Sequence, residues 1–191
     1  IGAATFQACT GLIEIDLSNC TSLASIGDSA FYGCYELKSI TLPSSLTSIA
    51  EEAFDTIPNL ETLEYKGTIE QWLSIDFGLY WMGDDSHTFI VNGEELTNLV
   101  VPEGVTSIGE RAFYGCSGLT ELDLSNCTSL TSIGSSAFWC CSGLTSIDLP
   151  SSLTSIGNYA FNGCRGLTSI TLPSSLEAIG GSAFSDCRGL T

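Results

Sequence analysis

Positive charge is scarce in this sequence: Lys and Arg total 5 against 22 Asp and Glu, for a formal net charge of -17. A surface of that sign repels phosphate backbones and anionic headgroups, which argues against nucleic acid and charged lipid as partners. Charge of either sign is sparse, at 14% of residues, where roughly 25% is usual in soluble domains. The surface must therefore be built from Ser, Thr, Asn and Gly. His87 is the only imidazole, so Cys–His chemistry would need a thiol carried to that one residue. No Gly-x-Ser-x-Gly, phosphate loop, dinucleotide fingerprint or Cys-x-x-Cys pair occurs, and with them go the usual signatures of catalysis, cofactors and structural zinc. The carboxylate pairs Asp84-Asp85 and Glu94-Glu95 read as solvated turns, and a calcium site at the first lacks loop-motif spacing. No run reaches the roughly 18 apolar residues of a membrane-spanning helix. No basic-then-apolar leader opens the chain.

What the sequence has is repetition. Ala-Phe pairs occur at Ala30-Phe31, Ala53-Phe54, Ala112-Phe113, Ala137-Phe138, Ala160-Phe161 and Ala183-Phe184, with Thr5-Phe6 as a variant. Successive Phe residues of the set lie 25, 23, 59, 25, 23 and 23 residues apart, so the basic unit is 23 residues long. Both longer steps of 25 contain the same octapeptide, Asp16 to Leu23 and Asp123 to Leu130.

Within one unit, Ile40-x-Leu42 predicts a short strand with alternate residues inward. Pro43 ends it, because Pro donates no ladder hydrogen bond. Leu46-x-x-Ile49 is a second apolar segment, and Ala53-Phe54 fits a single helical turn. Gly27, Gly109, Gly134, Gly157 and Gly180 follow the Ile of that second segment, where a reversal calls for positive φ; Ala50 departs from the pattern. No unit buries its apolar side alone, whereas stacked units bury one continuous core beside a parallel sheet.

The pattern L-x-x-I-x-L-P-x-x-L-x-x-I-G-x-x-A-F-x-x-C resembles the BspA-like (treponemal-type) leucine-rich repeats of bacterial surface proteins. Leu144 to Cys164 matches it at every fixed position, and the likeness spares only about Gly67 to Asn98. The resemblance implies an α/β-type repeat solenoid. This is a right-handed leucine-rich-repeat array with a parallel sheet along its concave face, and short strands, turns and single helical turns elsewhere. We read residues 1–191 as one such array with a non-repeat or modified-repeat insert at about 67–98. Both ends fall within a repeat, so a fragment of a longer protein is expected.

The insert holds Trp72, Trp81 and Met82. Glu70-Gln71-Trp72-Leu73 suggests a helical turn, and Phe89 to Leu96 a hairpin with Asn92-Gly93 as a type I′ turn. Two readings stand. The insert is a modified repeat that buries its aromatics, or Trp72, Tyr80 and Trp81 protrude to dock a partner or a sugar ring.

Six of the nine cysteines, Cys9, Cys34, Cys116, Cys141, Cys164 and Cys187, share one repeat position, where a seventh copy has Ile57. An aliphatic substitute implies free, buried thiols. Asn19-Cys20-Thr21 and Asn126-Cys127-Thr128 match the glycosylation pattern, but both overlap the repeated octapeptide, which accounts for them.

Beside the inward residues of successive strands lie Glu14 and Asp16, Ser39 and Thr41, Thr62 and Glu64, Glu121 and Asp123, Ser146 and Asp148, then Ser169 and Thr171. This stripe is small, polar and mildly acidic, and suits a basic or polar partner. In leucine-rich repeats generally, that sheet is the concave binding face. The resemblance implies a non-catalytic adhesion or binding module, extracellular or at the cell surface, that engages a host or neighbouring-cell protein. A structural spacer carrying another domain is one alternative, and a carbohydrate-binding accessory module using the insert aromatics is another.

Overall fold

The computed structural model describes residues 1–83 and 87–191. The Asp84-Asp85 pair considered above lies outside the described residues. Two compact units divide the chain, Ile1–Glu95 and Leu96–Thr191. Each is a stack of parallel rungs.

The first unit holds β1 (Glu14–Asp16), β2 (Ser25–Ile26), β3 (Ser39–Pro43), β4 (Ser48–Ile49), β5 (Thr62–Lys66), the short helix α1 (Ile69–Leu73), β6 (Asp76–Phe77), β7 (Thr88–Val91) and β8 (Glu94–Glu95). One sheet orders β1-β3-β5-β7-β8, and a second orders β2-β4-β6. All pairings are parallel except β7 with β8. Alternation sends Ile40 and Leu42 inward from β3 and Leu63 and Tyr65 from β5, and all four are buried. Register lines up Ile15, Ile40, Leu63 and Phe89 across the rungs. A third line is aromatic: the rings of Phe6, Phe31 and Phe54 stack with centroids 5.0 Å apart. That separation follows from the rung spacing of about 4.8 Å, which lets one Phe per repeat cover the next. Full burial of such a side chain stabilises by roughly 1.5–3 kcal/mol.

The second unit repeats the scheme with β9 (Asn98–Val100), β10 (Ser107–Ile108), β11 (Glu121–Asp123), β12 (Ser132–Ile133), β13 (Ser146–Ile147), β14 (Ser155–Ile156) and β15 (Ala178–Ile179). Its sheets order β13-β11-β9 and β10-β12-β14-β15. It has its own Phe line through Phe113, Phe138, Phe161 and Phe184, at 5.5, 5.2 and 5.4 Å.

The Ala-Phe segments are hydrogen-bonded turns instead of the expected helical turns. The N–H of Phe31 donates to Ala53 and that of Phe138 to Ala160, both at 2.8 Å. A donor committed to the next rung cannot close an i→i−4 bond, so no helix forms there. The residue two before each Phe is left-handed: Ser29, Glu52, Arg111, Ser136, Tyr159 and Ser182 have φ between 53° and 58°.

The glycines after Ile serve a different purpose from the one expected. Gly27, Gly109, Gly134, Gly157 and Gly180 are not among the residues of positive φ. Gly27, Gly134, Gly157 and Gly180 sit where two rungs press together. A Cβ on Gly157 would lie 2.5 Å from the Ser135 backbone nitrogen, and one on Gly180 2.3 Å from that of Asn158.

The insert is a modified rung. Its β6 extends the second sheet, pairing Ile49 with Phe77. Met82 bridges Phe54 on the third side, and β7 extends the first sheet, pairing Leu63 with Phe89. Thr68 caps α1 reciprocally with Gln71, which satisfies donors at the helix start. The hairpin turn is as expected, with Asn92 at φ 52° and Gly93 at φ 90°.

Six of the nine cysteines are buried, Cys140 is half-buried, and Cys9 and Cys20 are exposed. Buried thiols donate to the Phe carbonyl of the preceding rung, Cys141 to Phe113 and Cys164 to Phe138, each at 3.2 Å. Desolvation pushes the Cys116 and Cys141 thiols up, which keeps them protonated and inert at neutral pH.

Candidate functional site

The outward residues of the first sheet in each unit form the rows expected from the sequence. In the first unit, Glu14, Ser39 and Thr62 stand in register, as do Asp16, Thr41 and Glu64. Sequence reasoning missed the next pair, Thr88 beside Thr62 and Ile90 beside Glu64. In the second unit Glu121 pairs Ser146, and Asp148 pairs Thr171. Asn98 and Val100 were also missed; they align with Glu121 and Asp123. Ser169 is exposed and lies outside any strand. The missed residues had a signal. Phe89-x-Val91 and Leu99-x-Val101 are inward pairs of the Ile40-x-Leu42 kind, hidden by the change of repeat spacing.

The rows are pinned by their backbones and by local hydrogen bonds. Asp16 accepts the Ser18 N–H and Asp123 the Ser125 N–H, each at 2.8 Å. Hydrogen bonds from the serine side chain, then from its backbone, hold both carboxyls below the usual range. The Asn98 amide donates to Glu121 Oε2 at 3.0 Å.

Charge is handled differently on the two faces. In the first unit Glu64 is bonded by Lys66, and Glu61 by Lys38 at 2.8 Å. In the second unit β9, β11 and β13 carry no Lys or Arg. Instead they shape a hollow of about 250 Å³ lined by Asn98, Glu121, Leu122, Asp123, Ser125, Ser146 and Asp148. Among the described residues, no group of three or more His, Cys, Asp or Glu is arranged to hold a metal ion.

The insert aromatics do not form an exposed platform. Trp72 and Trp81 are each 1% exposed. Trp72 is a hub, with its ring centroid 4.8 Å from Phe89, 5.1 Å from both Tyr65 and Phe77, and 5.9 Å from Trp81. These contacts leave no indole face for a sugar ring, because both side chains are packed inside the modified rung. Of the three, only Tyr80 is exposed, next to exposed Leu79.

No helix of the described residues is long and apolar enough to cross a membrane. Among curated proteins there is no match. Among solved structures, the chain is similar to a leucine-rich repeat protein of T. pallidum (26% identity, TM-score 0.50), with all of this chain aligned to 71% of that one. It is similar also to a leucine-rich repeat protein of Bacteroides ovatus (26% identity, TM-score 0.49, all of this chain and 57% of that one). The pneumococcal vaccine antigen PcpA shares the fold (24% identity, TM-score 0.57, 88% of this chain and 47% of that one). The family pattern for the BspA type leucine rich repeat region matches in six copies, over residues 1–77 and 86–191. With rungs, aromatic spine and sequence pattern in agreement, this chain belongs to the BspA-type leucine-rich-repeat family.

Proposed function

We propose that the chain is a non-catalytic binding module of a bacterial cell-surface or secreted protein, and that it engages a protein partner through the outward side of its strands. The observation that carries this reading is the register of that side. Polar side chains such as Glu14, Ser39 and Thr62 stand in rows on a backbone fixed by ladder bonds. A surface ordered before binding loses little freedom on contact. Few apolar anchors interrupt it, so recognition rests on hydrogen bonds and charge, with on-rate and salt sensitivity set by the acidic residues. Membership of a repeat family with relatives among surface proteins supports the location.

The test is binding of the chain to an immobilised panel of extracellular-matrix proteins, serum proteins and mucin at low and high salt. Saturable binding to one protein is expected, weakened by salt and lost when Glu14, Asp16, Glu121 and Asp123 are neutralised. If no panel member binds at either salt, the strand face is not a binding surface and the rungs serve as a spacer.

A further inference from the structure

We propose that the strand face of the second unit docks an extended, arginine-bearing segment of the protein partner, with a guanidinium seated in the hollow over β9, β11 and β13. The inference rests on the binding reading above and names the chemistry of the partner.

The two faces act as internal controls for each other. They share rung geometry and the aspartate–serine turn, but in the first unit Lys66 pairs with Glu64 and Lys38 with Glu61. The second face brings Glu121, Asp123 and Asp148 around one concavity, with no cation on its strands. A basic partner is therefore complementary to the second face and meets competing lysines on the first.

Shape narrows the cation. The carboxylates are distributed over rungs about 4.8 Å apart, and none is grouped closely enough with two others to grip a metal ion. A guanidinium is broad and planar, and its five N–H donors form a fixed fork that pairs bidentately with a carboxylate and reaches a second, whereas an ammonium is a compact, strongly hydrated point charge. Asn98 already donates to one oxygen of Glu121, which fixes that carboxylate and leaves its other oxygen for a partner. Val100 is 50% exposed and sits in register with Asp123. It offers an apolar contact for the methylene stem that carries the guanidinium.

The experiment titrates the full chain with fluorescent poly(Arg-Ser), poly(Lys-Ser) and poly(citrulline-Ser) peptides at low salt. Saturable binding of the arginine peptide is expected, about tenfold tighter than the citrulline peptide and tighter than the lysine peptide. The E121Q/D123N/D148N variant should weaken it about tenfold. A control that removes as many charges off the strand faces, D28N/E36Q/E51Q, should change it less than about twofold. Equal loss in control and variant would mean attraction to net charge alone and would overturn the proposal. So would full binding by the triple variant, or a lysine peptide that binds as tightly as arginine. A panel protein that binds but is insensitive to the triple variant sinks this inference and leaves the binding reading intact. Absence of any bound panel protein sinks the reading itself, whatever the peptides do.

Discussion

The two units build the same rung and finish it differently. The second is regular: one Phe per repeat, stacked from Phe113 to Phe184, with thiols answering the Phe carbonyls. The first interrupts that order with a longer rung whose interior is filled by Trp72, Phe77, Trp81 and Phe89. Its outward Lys66 pairs with Glu64, whereas the strands of the second unit bring carboxylates around a hollow and carry no Lys or Arg. The difference shows that rung stacking constrains the inward side tightly and the outward side hardly at all. Any small polar residue satisfies the ladder, so the face is free to be shaped for a partner.

The largest expected effects lie in the two cores. Phe138→Ala in the regular spine and Trp72→Ala in the modified rung should each cost about 3–5 kcal/mol in urea unfolding. Tyr80→Ala, in the same insert but exposed, should stay within about 0.5 kcal/mol. A large loss for Tyr80→Ala, or a small one for Trp72→Ala, would mean that the insert does not pack as a rung.

A smaller effect is expected where rungs touch. Gly157→Ala places a Cβ against the Ser135 backbone and should destabilise by about 1–3 kcal/mol through overpacking. Ala50→Gly, at the one equivalent site that already carries a Cβ, should cost under about 1 kcal/mol through backbone entropy. A melting temperature for Gly157→Ala at or above that of the parent would refute close approach as the reason for the glycine.

The smallest effect should be common to both units. Asp16 and Asp123 have carboxyls lowered by their serine hydrogen bonds. A lowered folded-state value stabilises above the unfolded value of about 3.9, and that contribution is lost as pH falls through the folded value. Unfolding midpoints should therefore decline below about pH 4, with D16N and D123N each removing part of the slope. If the two variants differ, the turns are not equivalent, and charge on the surrounding face decides their titration.

Much of this was legible in the residues. Ile40-x-Leu42, the Phe marker and the shared cysteine position each report an inward side chain, and the stripe from Glu14 to Thr171 follows by alternation. The extension of each unit's rows, onto Thr88 and Ile90 in the first and Asn98 and Val100 in the second, was not legible in full, because the insert changes the repeat spacing around those strands. The burial of Trp72 and Trp81 was equally undecided, since an apolar run at a break in a repeat fits either a core or a patch.

By itself the sequence determined the rung, its period and its inward residues, because apolar spacing leaves one way to stack them. Only the tertiary structure decided the rest. Inter-rung hydrogen bonds took the donors a helix would have used, and put the left-handed residues beside the Phe positions. Contact between rungs, a distance no single repeat contains, required the glycines. Carboxylates far apart in the chain were gathered around one hollow, because stacking converts sequence separation of a whole repeat into neighbours on a face.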